Sequence, residues 1–165
     1  MRTILSPEPY SEFERPAIYL AGGVSGRNWQ AEVTAALSSV PGTVFNPRAP
    51  NSETRVWARE QIEWEFASIR RADLITFWFS DGEINPITLF ELGAQLQRLA
   101  LLRGGGGNRL LPRIVIGMAP GYLKGDDVKI QTELLLPETP FVSTLDALIE
   151  ETRAFIETMA PLAAG

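Results

Sequence analysis

The feature that most constrains this chain is the regular alternation of short apolar runs with helix-patterned stretches. The strongest run is Asp73 to Phe79, "DLITFWF", whose β-branched and aromatic residues over so short a length suit a buried central strand. Four further runs read the same way: Pro16 to Ala21 ("PAIYLA"), Thr43 to Phe45, Arg113 to Met118 ("RIVIGM") and Phe141-Val142. Between them lie helical patterns. Asn28 to Val40 carries Ala31, Val33, Ala35, Ala36 and Leu37 and closes at Pro41-Gly42. Val56 to Ala72 places Ile62, Phe66 and Ile69 at i, i+4 and i+7 along one stripe. A third helix opens at Asn85, a good N-cap, with Pro86 in the first helical position, and runs to about Arg103; a fourth spans Leu145 to Met159 behind Ser143 or Thr144.

Strands that alternate with helices imply βα units, right-handed crossovers and a parallel sheet covered on both faces. The expected architecture is an α/β fold, a three-layer α/β/α sandwich on a mainly parallel five-stranded sheet, flavodoxin-like or Rossmann-like. With 165 residues, 45% of them hydrophobic, the chain has enough material for one core and too little for two. Residues 1–15 read as a Pro- and Glu-containing lead-in and residues 16–160 as a single domain.

Composition narrows the chemistry. The chain contains no cysteine and no histidine, which removes disulfides, thiolate metal sites, cysteine nucleophiles and every triad with an imidazole base. Acid–base work falls to carboxylates, tyrosine or lysine. Fifteen Lys and Arg against 20 Asp and Glu supply no basic surface for a nucleic-acid polymer, while a single nucleotide remains compatible. The N-terminal stretch lacks the apolar region of a signal peptide, and no run approaches the roughly 20 apolar residues of a membrane span. A cytoplasmic, soluble protein without membrane partners is expected.

Ligands of open parallel sheets bind beyond the carboxyl ends of the strands, here the loops after Ala21, Phe45, Phe79 and Met118. The first loop, "AGGVSGRN", offers glycines after a strand and a helix N-terminus behind them; it reads either as a ligand cradle or as a plain tight turn. In "NPITLFELG", residues 85–93, Thr88, Glu91 and Gln95 share one polar stripe, so Glu91 reads as a nucleophile or base, or as a surface acid of an amphipathic helix. Gly93 reads as a point of close helix packing. Glu65, three after Ile62 and four before Ile69, shares the side expected to be buried, which would suit a general acid; the alternative is an ion pair with Arg27, Arg48, Arg70 or Arg71. Two acids on neighbouring elements point to glycosyl transfer as a class of chemistry, in which Asp73, Asp81 or Glu83 would serve equally by spacing. Trp57 and Trp64 read as packing residues or as an aromatic wall.

Three segments carry a resemblance. "AIYLAGGVSG" (17–26), "VFNPR" (44–48) and "ADLITFWFSDGEINPITLFELGAQ" (72–95) together resemble the nucleoside 2-deoxyribosyltransferase-like family, including relatives that hydrolyse nucleoside or deoxynucleotide N-glycosidic bonds. The resemblance implies Glu91 as the nucleophile at C1′, Tyr19 as the residue orienting it, and Gly22, Gly23 and the loop around them as sugar contacts. It implies Glu65 and Asn85 at positions that touch the base, Thr88 beside the nucleophile, and Ser25 with Arg27 as holders of a 5′-phosphate or Ser25 as a helix cap; apart from the resemblance, "FNPR" reads either as directing Arg48 into the site or as a plain Asn-Pro turn after a strand. Ile87 and Pro86 depart from the family pattern ahead of Thr88. The implied protein uses no metal and no cofactor, takes a small nucleoside or nucleotide, and assembles as a dimer or higher homo-oligomer. A non-catalytic nucleotide- or nucleotide-sugar-binding module on the same fold is the second reading.

Overall fold

The computed structural model describes residues 1–24, 26–48, 59–104 and 111–163. The chain runs β1 (Arg2–Leu5), β2 (Ala17–Gly22), α1 (Trp29–Ala36), β3 (Thr43–Asn46), α2 (Arg59–Arg71) and β4 (Leu74–Phe79). It continues through α3 (Pro86–Gly104), β5 (Arg113–Met118), α4 (Gly125–Leu135), β6 (Phe141–Val142) and α5 (Leu145–Ala163). All strand pairs are parallel, in the order β1-β3-β2-β4-β5-β6. The five inner and right-hand strands therefore follow the flavodoxin-like order, with β1 added outside β3.

Alternating side chains divide the core between the two faces of the sheet. Tyr19, Phe45, Ile75, Phe77 and Phe79 point to one face and pack with Trp64, Leu92, Leu96 and Val128 of α2, α3 and α4. Ile18, Leu20, Val44, Leu74 and Trp78 point to the other and pack with Trp29 and Val33 of α1 and Leu148 and Ile156 of α5. This distribution follows from chain direction: the β2-to-β3 crossover runs one way along the sheet and the later crossovers run the other, so right-handed connections put α1 opposite α2, α3 and α4. The chain reverses between β2 and β4, and the loops after these two strands meet there.

The expected architecture holds with six strands in place of five. The additional one, β1, lies within the lead-in and pairs Arg2 to Leu5 with Thr43 to Asn46. An edge strand of four residues is held by backbone bonds to one neighbour, and here only Ile4 enters the core, so it carries almost no apolar pattern. The rest of the lead-in also packs: Tyr10 and Phe13 lie with their ring centroids 4.9 and 5.2 Å from that of Phe45, and the Trp64 indole N–H donates to the Glu8 carbonyl at 2.8 Å.

That cover inverts the expected face of α2. Gln61, Trp64, Ser68 and Ile69 are buried, whereas Ile62 and Phe66 are 56% and 63% exposed. Ser68 is accommodated by a 2.9 Å hydrogen bond with the Tyr10 hydroxyl. Trp64 is thus a packing residue, and Trp57 lies outside the described residues. Among the described residues no helix is long and apolar enough to cross a membrane.

Candidate active site

The switch between β2 and β4 opens into a cavity of about 180 Å³. Tyr19, Gly22 and Gly23 of β2 and its loop, Glu65 of α2, and Asn85, Thr88 and Glu91 at the start of α3 all line it. Seven of the ten residues given site roles from the sequence therefore meet in one place, while Arg27 is turned onto Glu32. Ser25 lies outside the described residues. Arg48 takes another position: its guanidinium donates to the carbonyls of Gly26 at 3.2 Å and Arg27 at 3.3 Å, so it braces the glycine loop and does not line the cavity.

Each side chain is delivered by its element. Tyr19 alternates out of the middle of β2 and is 1% exposed. Burial raises its pKa well above the ordinary tyrosine value, and the charges of Glu91 and Glu65 raise it further, so it remains a neutral phenol among carboxylates. Glu91 sits one turn after the buried Thr88; burial and then the charge of Glu65 raise its pKa to about 7. Glu65 comes from the second turn of α2. Its carboxylate accepts from Nε2 of Gln61, one helical turn earlier, and the same amide reaches the Pro47 carbonyl at 3.4 Å. Gln61 escapes a search for acids and nucleophiles, although its i, i+4 spacing to Glu65 is a readable signal.

The glycine loop is shaped by what crowds it. A Cβ on Gly22 would lie 2.6 Å from the Trp29 ring and 2.7 Å from the Trp78 carbonyl; one on Gly23 would lie 2.5 Å from Oδ1 of Asn85. Only glycine permits that approach. The Gly23 carbonyl accepts from both Trp29 Nε1 at 3.2 Å and Gln30 Nε2 at 3.0 Å.

Asn85 departs from the expected capping role. Pro86 does begin α3, and the Asn85 carbonyl accepts from Leu89 N–H at 3.0 Å, but Asn85 has φ of 51° and turns its side chain toward the cavity. Asparagine is among the few residues that tolerate this left-handed conformation. Its Nδ2 is buried without a hydrogen-bond partner among the described residues. Tyr122 holds the preceding turn by donating its hydroxyl to the Ile84 carbonyl at 2.8 Å.

Asp73, one of the alternative acids, is separated from the site. It lies at the opposite, amino-terminal edge of the sheet, paired with Arg15 and accepting from the Ala17 N–H at 2.8 Å. Gly93 does not mark close packing: it is exposed, and a side chain there would meet nothing within 4 Å.

Beyond Glu65, Ile87 and Glu91 the cavity continues into a groove of about 490 Å³ between α2 and α3, walled by Ile62, Phe66, Phe90 and Ala94. Ile87 and Phe90 are 67% and 77% exposed, so the groove has an apolar rim. Two carboxylates and a phenol in a small cavity opening on an apolar groove suit acid–base or nucleophilic attack on a polar bond of a flat, partly apolar molecule.

A family-level sequence comparison matches residues 15–100, more than half of the chain, to the family described as Nucleoside 2-deoxyribosyltransferase like. The chain belongs to that family. The matched span begins ahead of β2 and ends within α3, and so contains every described residue of the cavity named above. No curated protein matches the chain. Membership carries with it a transferase- or glycosidase-type enzyme acting on a small nucleoside-like molecule.

Proposed function

We propose that this member of the family cleaves or transfers at the N-glycosidic bond of a (deoxy)nucleoside or nucleotide by double displacement through Glu91. The observation that supports this reading most directly is the convergence of Glu91, Glu65 and Tyr19 on one cavity at the switch point of the sheet. In the first step the Glu91 carboxylate attacks C1′ as the bond to the base breaks, and the base nitrogen takes a proton from Glu65 or from water. The sugar is then held as an ester of Glu91. In the second step an acceptor base, or water, attacks C1′ and regenerates the carboxylate.

The remaining residues have supporting parts. The neutral Tyr19 hydroxyl donates toward the carboxylates, the glycine loop lies against the sugar, and the unpartnered Nδ2 of Asn85 is a donor for the base. Gln61 holds Glu65. The apolar rim is suited to cover by a second copy of the chain, in keeping with the expected homo-oligomer.

The test is incubation with a panel of 2′-deoxynucleosides, with and without an acceptor base, followed by chromatography. Wild type should release or exchange the base, and Glu91→Ala should lower the rate by about 10³-fold or more. Equal inactivity of both, with tight binding by calorimetry, would instead favour a binding module.

A further inference from the structure

We propose that Glu83 is a specificity-determining residue that keeps anions off the glycine loop, so that the site takes a nucleoside with an uncharged 5′ end in preference to its 5′-phosphate. The inference rests on the N-glycosidic reading above and narrows its substrate class.

A glycine-rich loop between a strand and a helix N-terminus is ordinarily a place where an anion settles. Here a carboxylate already occupies its surface. A Cβ placed on Gly23 would collide with Oε2 of Glu83, and one placed on Gly26 would lie 3.1 Å from Oε1 of the same residue. Both oxygens of Glu83 therefore face the glycines of the loop. The turn that carries Glu83 is anchored next door by the Tyr122 hydrogen bond to the Ile84 carbonyl.

The described cations beside the loop, Arg27 and Arg48, are turned to other tasks. Arg27 is forked onto Glu32, with Nε to Oε1 at 2.7 Å and Nη2 to Oε2 at 2.5 Å. Arg48 spends its donors on the Gly26 and Arg27 carbonyls and on Oε1 of Gln30 at 3.5 Å. The first turn of α1 is capped from within, since Oδ1 of Asn28 accepts from the Ala31 N–H at 3.1 Å. The described residues lining the cavity include Glu65 and Glu91 but neither lysine nor arginine. A phosphate dianion at the loop would thus meet like charge from the loop side and from the cavity, without a compensating cation among the described residues.

The experiment compares kcat/KM for a 2′-deoxynucleoside and its 5′-monophosphate in wild type and in Glu83→Gln. Wild type should prefer the nucleoside by about tenfold or more, and Glu83→Gln should narrow that ratio by about tenfold. Because the exclusion is electrostatic, the wild-type ratio should also shrink as ionic strength rises, a readout that stands even if the variant does not fold. Preference of wild type for the monophosphate, a ratio unmoved by Glu83→Gln, or a ratio unmoved by salt in the absence of a folded variant would overturn the proposal. If wild type turns over neither compound, the N-glycosidic reading fails by itself. The same pair of ligands, titrated calorimetrically into wild type and Glu83→Gln, then decides the Glu83 assignment, with equal affinity for both ligands in wild type counting against it.

Discussion

Glu91 is costly to keep ionised, and that cost has a sign. Its pKa rises on folding from the ordinary value near 4.5 to about 7, so the native protein holds the proton more tightly than the unfolded chain. Stability from this group is fully present below about pH 4.5 and is lost as pH climbs through 7, by about 3 kcal/mol at most. Glu91→Gln should therefore stabilise the protein by up to about 3 kcal/mol at pH 8 and by little at pH 4.5, as read by urea denaturation at the two pH values. A nucleophilic Glu91 must be ionised, so kcat/KM should increase as pH rises through about 7. Glu65→Gln removes the second cause of the shift and should move that ascending limb to lower pH, which a pH–rate profile measures. Glu91 was legible as a candidate in the sequence because the α3 start is marked by Asn-Pro and the polar stripe counts from it, whereas Glu65 was reached through an α2 stripe whose Ile62 and Phe66 the fold leaves exposed. Gln61 and the direction of Arg48 were not legible, because a bridging amide and a brace on backbone carbonyls depend on contacts across the fold that no spacing records.

At the scale of elements, α2 shows where periodicity misleads. The stripe Ile62, Phe66 and Ile69 has helical spacing, yet the buried side is built on Gln61, Trp64 and Ser68, because Tyr10 and Phe13 arrive from the N-terminal segment to cover it. A polar residue buries when a partner waits for it, and an apolar one stays outside when no neighbour reaches it. Trp64→Ala should accordingly cost about 3–5 kcal/mol in chemical denaturation, while Phe66→Ser should change monomer stability by less than about 0.5 kcal/mol. Helices α1, α3 and α5 begin where expected because each has its own start signal, although α1 ends at Ala36, short of Val40; α4, which buries only Val128 and Thr132, carries a much fainter pattern and is a helix not expected from the sequence.

For the whole molecule, the layered fold was legible because strand–helix alternation and crossover handedness leave few arrangements, whereas β1 depends on a single core residue and the identity of its neighbour. The same topology puts both acid-bearing helices on one face of the sheet, and with them the apolar rim of Ile62, Phe66, Ile87 and Phe90. If a second copy covers this rim, wild type should sediment above the monomer mass at micromolar concentration, and Phe90→Glu should shift it toward the monomer in analytical ultracentrifugation. The groove between α2 and α3 also shares Glu65 and Glu91 with the cavity. Whatever fills or roofs that groove, substrate or protein, displaces water from the carboxylate whose ionisation depends on it. Glu91 thereby works as a gauge of its own cover: the pH at which the acid switches on should track occupancy of the groove, and dilution or a competing apolar ligand would retune it without touching a single residue of the cavity.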